Sequence, residues 1–159
     1  MREVSRLAVI LLLASAAQAA TLQDANKAVA RRVFEEIFNQ GQFEVANEIY
    51  ATDFANHGAH RDVSLKEDQD AARGWKSAFP DLKMTVQMML ADADTVTVVW
   101  LAKGTNTGTG NGLPATGKAV DGRGITIWRI VGGRIREEWS EFDQLQLMQQ
   151  LGLLPGDSK

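Results

Sequence analysis

Asp143 closes one strand-like run and opens a helix-like one, and a carboxylate in that position can do either of two things. With Gln146 three residues on, it has the form of a helix N-cap, whose side-chain oxygen accepts a backbone N–H of the first turn. Set in an apolar pocket, the same group is a general base, because loss of water penalises its charged form and raises its proton affinity. Residue type and spacing leave both roles open. His57 and His60 are the only histidines. A histidine at a pocket mouth can donate a hydrogen bond to a carbonyl oxygen and so steady an enolate, and it can equally satisfy loop backbone groups. Asp53, His57, His60 and Asp62 are metal-ligand types, but their spacing matches no zinc signature, so no metal is expected. Gly108 to Gly112 is followed by no helix pattern and is not a phosphate loop.

These groups need a scaffold. Arg2 and Arg6, the apolar run Leu7 to Leu13 and the small-residue boundary Ala17-Gln18-Ala19 form the three parts of a cleavable export signal, expected over residues 1–19. The run is far short of the roughly 20 apolar residues that span a bilayer. The mature chain, 20–159, is then expected in the periplasm or outside the cell, with no stable membrane anchoring after cleavage. The chain has no Cys, which excludes disulfides and a lipid anchor on sulfur. Its 17 Lys+Arg against 20 Asp+Glu leave a net charge of -3, unsuited to nucleic acid. About 140 residues remain, enough for one domain with a real core.

Helices come first. Thr21 and Asp24 have the form of a capping box before a stripe of Val29, Val33 and Ile37, which ends near Asn39 to Gly41. A short helix is expected over 44–50. Ser64 with Glu67 caps a third, in which Ala72, Trp75 and Phe79 share a face until Pro80 stops it. Four strand-like runs follow, Lys83 to Ala91, Thr95 to Asn106, Lys118 to Val131 and Arg134 to Phe142, rich in Val, Ile, Thr and Trp. Gly104 to Gly117 reads as a long loop. The order predicts an α+β fold: an antiparallel sheet curling over the N-terminal helices and enclosing a small-molecule pocket. If Asp143 faces inward, strand alternation turns Glu141, Trp139 and Ile135 the same way, and Trp100 and Trp128 extend the lining. The opposite parity, with Thr95, Thr97, Val99 and Leu101, makes an outer face with apolar content.

Seven blocks in order carry a family resemblance: Asp53 to His57, Phe79-Pro80-Asp81-Leu82, Gly104 to Gly108, Pro114 to Lys118, Gly133-Arg134-Ile135 with Glu138-Trp139, Asp143, and Gln150-Leu151-Gly152. Together they resemble the SnoaL-like polyketide cyclase (ester cyclase) family over essentially all of the mature chain. The resemblance implies the cone-shaped α+β barrel shared with ketosteroid isomerase and the nuclear transport factor fold. It also implies an enzyme without cofactor or metal: a carboxylate removes a proton beside the carbonyl of a small, largely apolar compound, and the carbanion closes a ring or is reprotonated elsewhere. Asp143 matches the family's catalytic Asp, and His57 falls where its block has a His. Asn106 stands where the family usually has His, so a pocket contact is expected to differ there. Relatives with this fold usually pair through the outer sheet face, which implies a homodimer. The alternative is a non-catalytic exported binding or dimerisation module, since this fold hosts both.

Overall fold

In the computed structural model, which describes residues 18–58 and 60–155, helix α1 is already under way at residue 18 and runs to 32, continuing as the π-helical stretch Val33–Asn39. Nearly all of the expected export segment lies outside the described residues. Thr21 does not cap this helix. Its hydroxyl donates to the Gln18 carbonyl at 2.8 Å inside the first turns, because Ala19 and Ala20 are strong helix formers that carry the helix upstream. Ala30, Val33, Phe34 and Ile37 form its buried stripe. A short turn, Phe43–Val45, leads to α2, Ala46–Ile49.

The chain then does something the residue pattern did not announce. Tyr50–His57, read as a helix end followed by a loop, is strand β1, pairing antiparallel with β2 (Asp62–Ser64) and parallel with β6 (Arg134–Phe142). Asp53 and Asn56 lower its β propensity, and its parallel partner lies more than eighty residues away, beyond any local signal. Helix α3, Leu65–Ala78, starts on the expected capping box, with Glu67 accepting from the Ser64 amide at 3.0 Å. Strands β3 (Lys83–Asp92), β4 (Thr95–Thr105), β5 (Ala119–Val131) and β6 form the antiparallel meander. The sheet, in the order β2-β1-β6-β5-β4-β3, is therefore mixed rather than wholly antiparallel. Helix α4, Gln144–Leu151, follows it.

Two bulges decide which side chains face inward. In β3 the register shifts between Val86 and Met88, so Met84 and Val86 point into the core, as Met89 and Ala91 do beyond the shift, while Met88 and Leu90 are exposed. In β6, Ile135 pairs with Ile130 but Glu137 pairs with Arg129, leaving Arg136 as the extra residue. Alternation is reset there. Ile135 is inward, and beyond the bulge Glu138, Ser140 and Phe142 are inward instead of Glu137, Trp139 and Glu141. The core lies between this inner face and the helices, centred on Phe34, Val96, Val98, Trp128, Ile130 and Ile135. Among the described residues no helix is long and apolar enough to cross a membrane.

Candidate functional site

The inner face of the sheet, α1 and α3 enclose a cavity of about 300 Å³. Its walls are largely aromatic, with Phe34, Trp75, Trp100, Trp128 and Phe142 all reaching it. Trp100 lies flat against β5 because residue 124 is glycine. A Cβ there would run into the indole, so Gly124 is what lets the ring form a wall. The Trp100 Nε1–H donates to Thr126 Oγ1 at 3.0 Å, and Thr126 in turn shares a 2.8 Å hydrogen bond with Ser140.

One end of the cavity is acidic. Asp68 comes from α3, where it continues the stripe of Ala72, Trp75 and Phe79 one turn upstream, and Glu138 comes from β6. Asn56, on β1, joins them: its Nδ2 donates to Asp68 Oδ1 at 2.9 Å and to Glu138 Oε1 at 3.3 Å. The Trp128 Nε1–H donates to Glu138 Oε2 at 2.7 Å. No Lys, Arg or His among the described residues pairs with either carboxyl. Burial, reinforced by the charge of Asp68 and only partly opposed by Trp128, pushes Glu138 up to about 8. Burial also raises Asp68, against the pull of Asn56. Asp68's charge is part of what holds the proton on Glu138, so the two carboxyls titrate as a pair and give up their protons in separate steps. Tyr50, 4 % exposed, lines the same space, and its phenol is raised by burial and by both carboxylates.

The residues singled out by sequence fall in three places. Trp100 and Trp128 line the cavity. Asp143 reaches its rim but is exposed, and its Oδ1 accepts the Gln146 amide at 2.8 Å as the N-cap of α4. His57, Trp139 and Glu141 are outside. Beyond the Arg136 bulge, Trp139 and Glu141 occupy the outer parity, and His57 stacks on Trp139 with ring centroids 4.6 Å apart and planes 28° apart. The His57 ring nitrogens face Asp62 Oδ1 at 2.9 Å and Glu137 Oε1 at 3.4 Å, and these contacts, Asp62 foremost, raise its pKa against partial desolvation. His57 therefore does not meet Asp143 at one site, and it cannot steady an enolate in this cavity. Asn106 does not line the cavity either. Fully buried, it donates to the Ala78 and Gly108 carbonyls at 3.1 Å and accepts from the Thr116 amide and hydroxyl at 3.0 and 2.9 Å. It pins the long loop between β4 and β5, and in that loop an amide offers donor and acceptor together. Among the described residues no group of three His, Asp or Glu is placed to hold a metal ion.

Asp68, Glu138, Asn56 and Tyr50 were missed as site residues. A signal existed for Asp68, a charged residue on the apolar stripe of its helix. For Glu138 the bulge hid it, since unbroken alternation from the inward Ile135 puts position 138 on the outside.

A family model described as SnoaL-like polyketide cyclase matches residues 28–151. No curated protein matches the chain in sequence. Among solved structures, the chain is similar to AclR from Streptomyces galilaeus, a proposed hydroxylase. That match has 24% identity and a TM-score of 0.76, covering 84% of this chain and 99% of that one. A proposed SnoaL-like polyketide cyclase from Jannaschia sp. superposes with a TM-score of 0.76 at 22% identity, covering 84% and 95%. At these identities the likeness is one of fold. IdmH from Streptomyces antibioticus, a proposed polyketide cyclase, is 26% identical with a TM-score of 0.70, covering 80% and 98%.

Proposed function

The chain belongs to the SnoaL-like polyketide cyclase family, and on that premise we propose that its cavity performs cofactor-independent acid–base chemistry on a small, largely apolar carbonyl compound, removing a proton next to the carbonyl. The observation that carries this reading is the buried carboxyl pair joined through Asn56 at the end of an aromatic cavity. Such a pair holds one proton and one charge at neutral pH, so it supplies both halves of the reaction. The Asp68 carboxylate takes the α-proton while the protonated Glu138 donates a hydrogen bond toward the carbonyl oxygen, where charge develops. The net charge of the site stays at about minus one throughout. Without a cation in reach, that conservation keeps the step affordable in an apolar cavity. The carbanion so formed either attacks a second carbonyl to close a ring or is reprotonated elsewhere, giving an isomer.

A second reading keeps Asp143 as the base, on its match to the family motif and its place at the cavity rim. The two separate by substitution. Asn caps a helix about as well as Asp, whereas Ala costs on the order of 1 kcal/mol there. Deuterium exchange at the α-carbon of a small ketone, followed by NMR beside thermal denaturation, is the measurement. We expect Asp143→Asn to keep both exchange and melting temperature, and Asp143→Ala to lose stability alone. A fall of about 10²-fold or more in Asp143→Asn would move the base to the rim. No exchange by the wild-type protein with any ketone that binds would favour the non-catalytic binding module.

The outer sheet face is proposed to bury itself against a second copy. Leu90, Thr97, Ile127 and Trp139 form one row of cross-strand neighbours there, and Met88, Val99 and Ile125 another. Met88, Leu90, Ile125 and Trp139 are 56%, 61%, 47% and 37% exposed, an apolar face that a monomer would leave in water. Sedimentation should show a dimer at micromolar concentration and a monomer for Ile125→Glu. A wild-type monomer would refute the pairing.

A further inference from the structure

We infer that the acidic end of the cavity is also a cation site, taking an ammonium group carried on an apolar, ring-sized body, and that the carboxyl pair gives up its proton when the cation enters. This goes beyond carbonyl chemistry, although it uses the same cavity. Asp68 and Glu138 both face this space, and their hydrogen-bond donors are neutral, the Asn56 amide and the Trp128 indole. Tyr50 gives the independent sign of a ligand. It is 4 % exposed and lines the cavity, and its hydroxyl makes no hydrogen bond among the described residues. Phe34 and Trp128 meet edge to face at 5.5 Å in the wall of the same cavity, and aromatic faces carry negative potential. Two carboxyls, a phenol oxygen and ring faces thus present electron density to one volume, with no basic side chain paired to the carboxyls.

An anion has no place there, and a neutral ligand leaves the buried negative charge of the pair without a counter-charge. A cation supplies one. Burial and the charge of Asp68 keep Glu138 protonated at neutral pH, and a positive charge between the two reverses that second influence. The other titratable groups along the cavity are Tyr50 on β1 and the exposed Lys103, Asp121 and Asp143. Asp121 lies seven residues along β5 from Trp128, roughly 20 Å at strand rise, where solvent screens it.

The test is titration calorimetry of the full chain with benzyltrimethylammonium, whose charge does not change with pH, against benzyl alcohol as the neutral ring. The cation should bind at least tenfold more tightly than the alcohol at pH 9. With Glu138 near 8, its ionised fraction rises from about one tenth at pH 7 to about nine tenths at pH 9, so cation affinity should rise about tenfold over that interval. Binding at pH 7 should release close to one proton, read from the dependence of heat on buffer. Glu138→Gln should abolish both the pH rise and the release. Asp68→Asn, a second variant in case the first folds poorly, should lower cation affinity tenfold or more. Equal affinity for the two probes, absence of both pH rise and proton release, or binding by neither probe overturns the cation site. Ketone α-deuterium exchange in the same samples reports on the catalytic reading separately, so a failed cation arm with exchange intact sinks only this inference.

Discussion

Asp68→Asn should lower α-deuterium exchange of a bound ketone by roughly 10²- to 10⁴-fold while leaving the fold intact. The amide keeps the acceptor that Asn56 needs and has nearly the volume of the carboxylate, so packing on α3 is undisturbed. What it loses is the anion. Wild-type activity should follow a bell in pH, rising as Asp68 ionises and falling as Glu138 gives up its proton near 8. In Asp68→Asn the residual activity should shift its profile, because Glu138 no longer feels a neighbouring charge and its pKa drops. Glu138→Gln should lose the alkaline limb altogether, since an amide cannot deprotonate in that range, and keep an N–H to offer the carbonyl oxygen. A profile in Glu138→Gln that still falls near pH 8 would show that some other group titrates there. Exchange in Asp68→Asn at the wild-type rate would remove the carboxyl pair from the chemistry.

The parts of this architecture that rest on local periodicity were legible. The α3 capping box, the four-stranded meander and the tryptophans at 100 and 128 follow from spacing, since each depends on neighbours a few residues away or on simple alternation. What was hidden depends on distance. Strand β1 exists because β6 is beside it, and nothing within Tyr50 to His57 records that partner. The site inherits the same blindness, because Asn56 can bridge Asp68 and Glu138 only once β1 lies parallel to β6. The Arg136 bulge adds one residue to one strand, which is enough to exchange the inner and outer faces for everything beyond it. Trp139 and Glu141 changed sides for that reason alone. His57 followed, as its strand neighbour across β6 is on the outer face with it. Asn106 shows a different limit. A departure from a family motif marks a changed contact, but not whether that contact touches ligand or loop backbone.

Stability should fall as pH rises from about 4.5 to 8, and Glu138→Gln should remove most of that slope. The folded protein holds a proton on Glu138 up to about 8, whereas the unfolded chain releases it near the ordinary 4.5. Between those values the native state binds the extra proton, so its advantage is complete below 4.5 and is lost as pH climbs through the folded value. Asp68, raised by the same burial, adds to the loss with the same sign, and the raised His57 adds more from its ordinary 6.5 upward. At the acid end the sign reverses. Glu67, held down to about 2 by Arg61 and the Ser64 cap, and Asp81, held down by Thr105, favour the native state above their ordinary values and lose that effect as pH falls. The optimum is therefore expected near pH 5. At about 1.4 kcal/mol per pH unit of displacement, the Glu138 contribution is on the order of 4 kcal/mol between pH 5 and 9. For a domain of this size that is roughly 10 °C in melting temperature. Glu138→Gln, which mimics the protonated form, should match wild type at pH 5 and melt roughly 10 °C higher at pH 9. Glu35→Gln, at an exposed position of the Val33–Asn39 stretch, serves as the control and should track wild type throughout. Parallel curves for wild type and Glu138→Gln would mean that Glu138 ionises without penalty in the folded protein, which its burial between Trp128 and Asp68 does not allow.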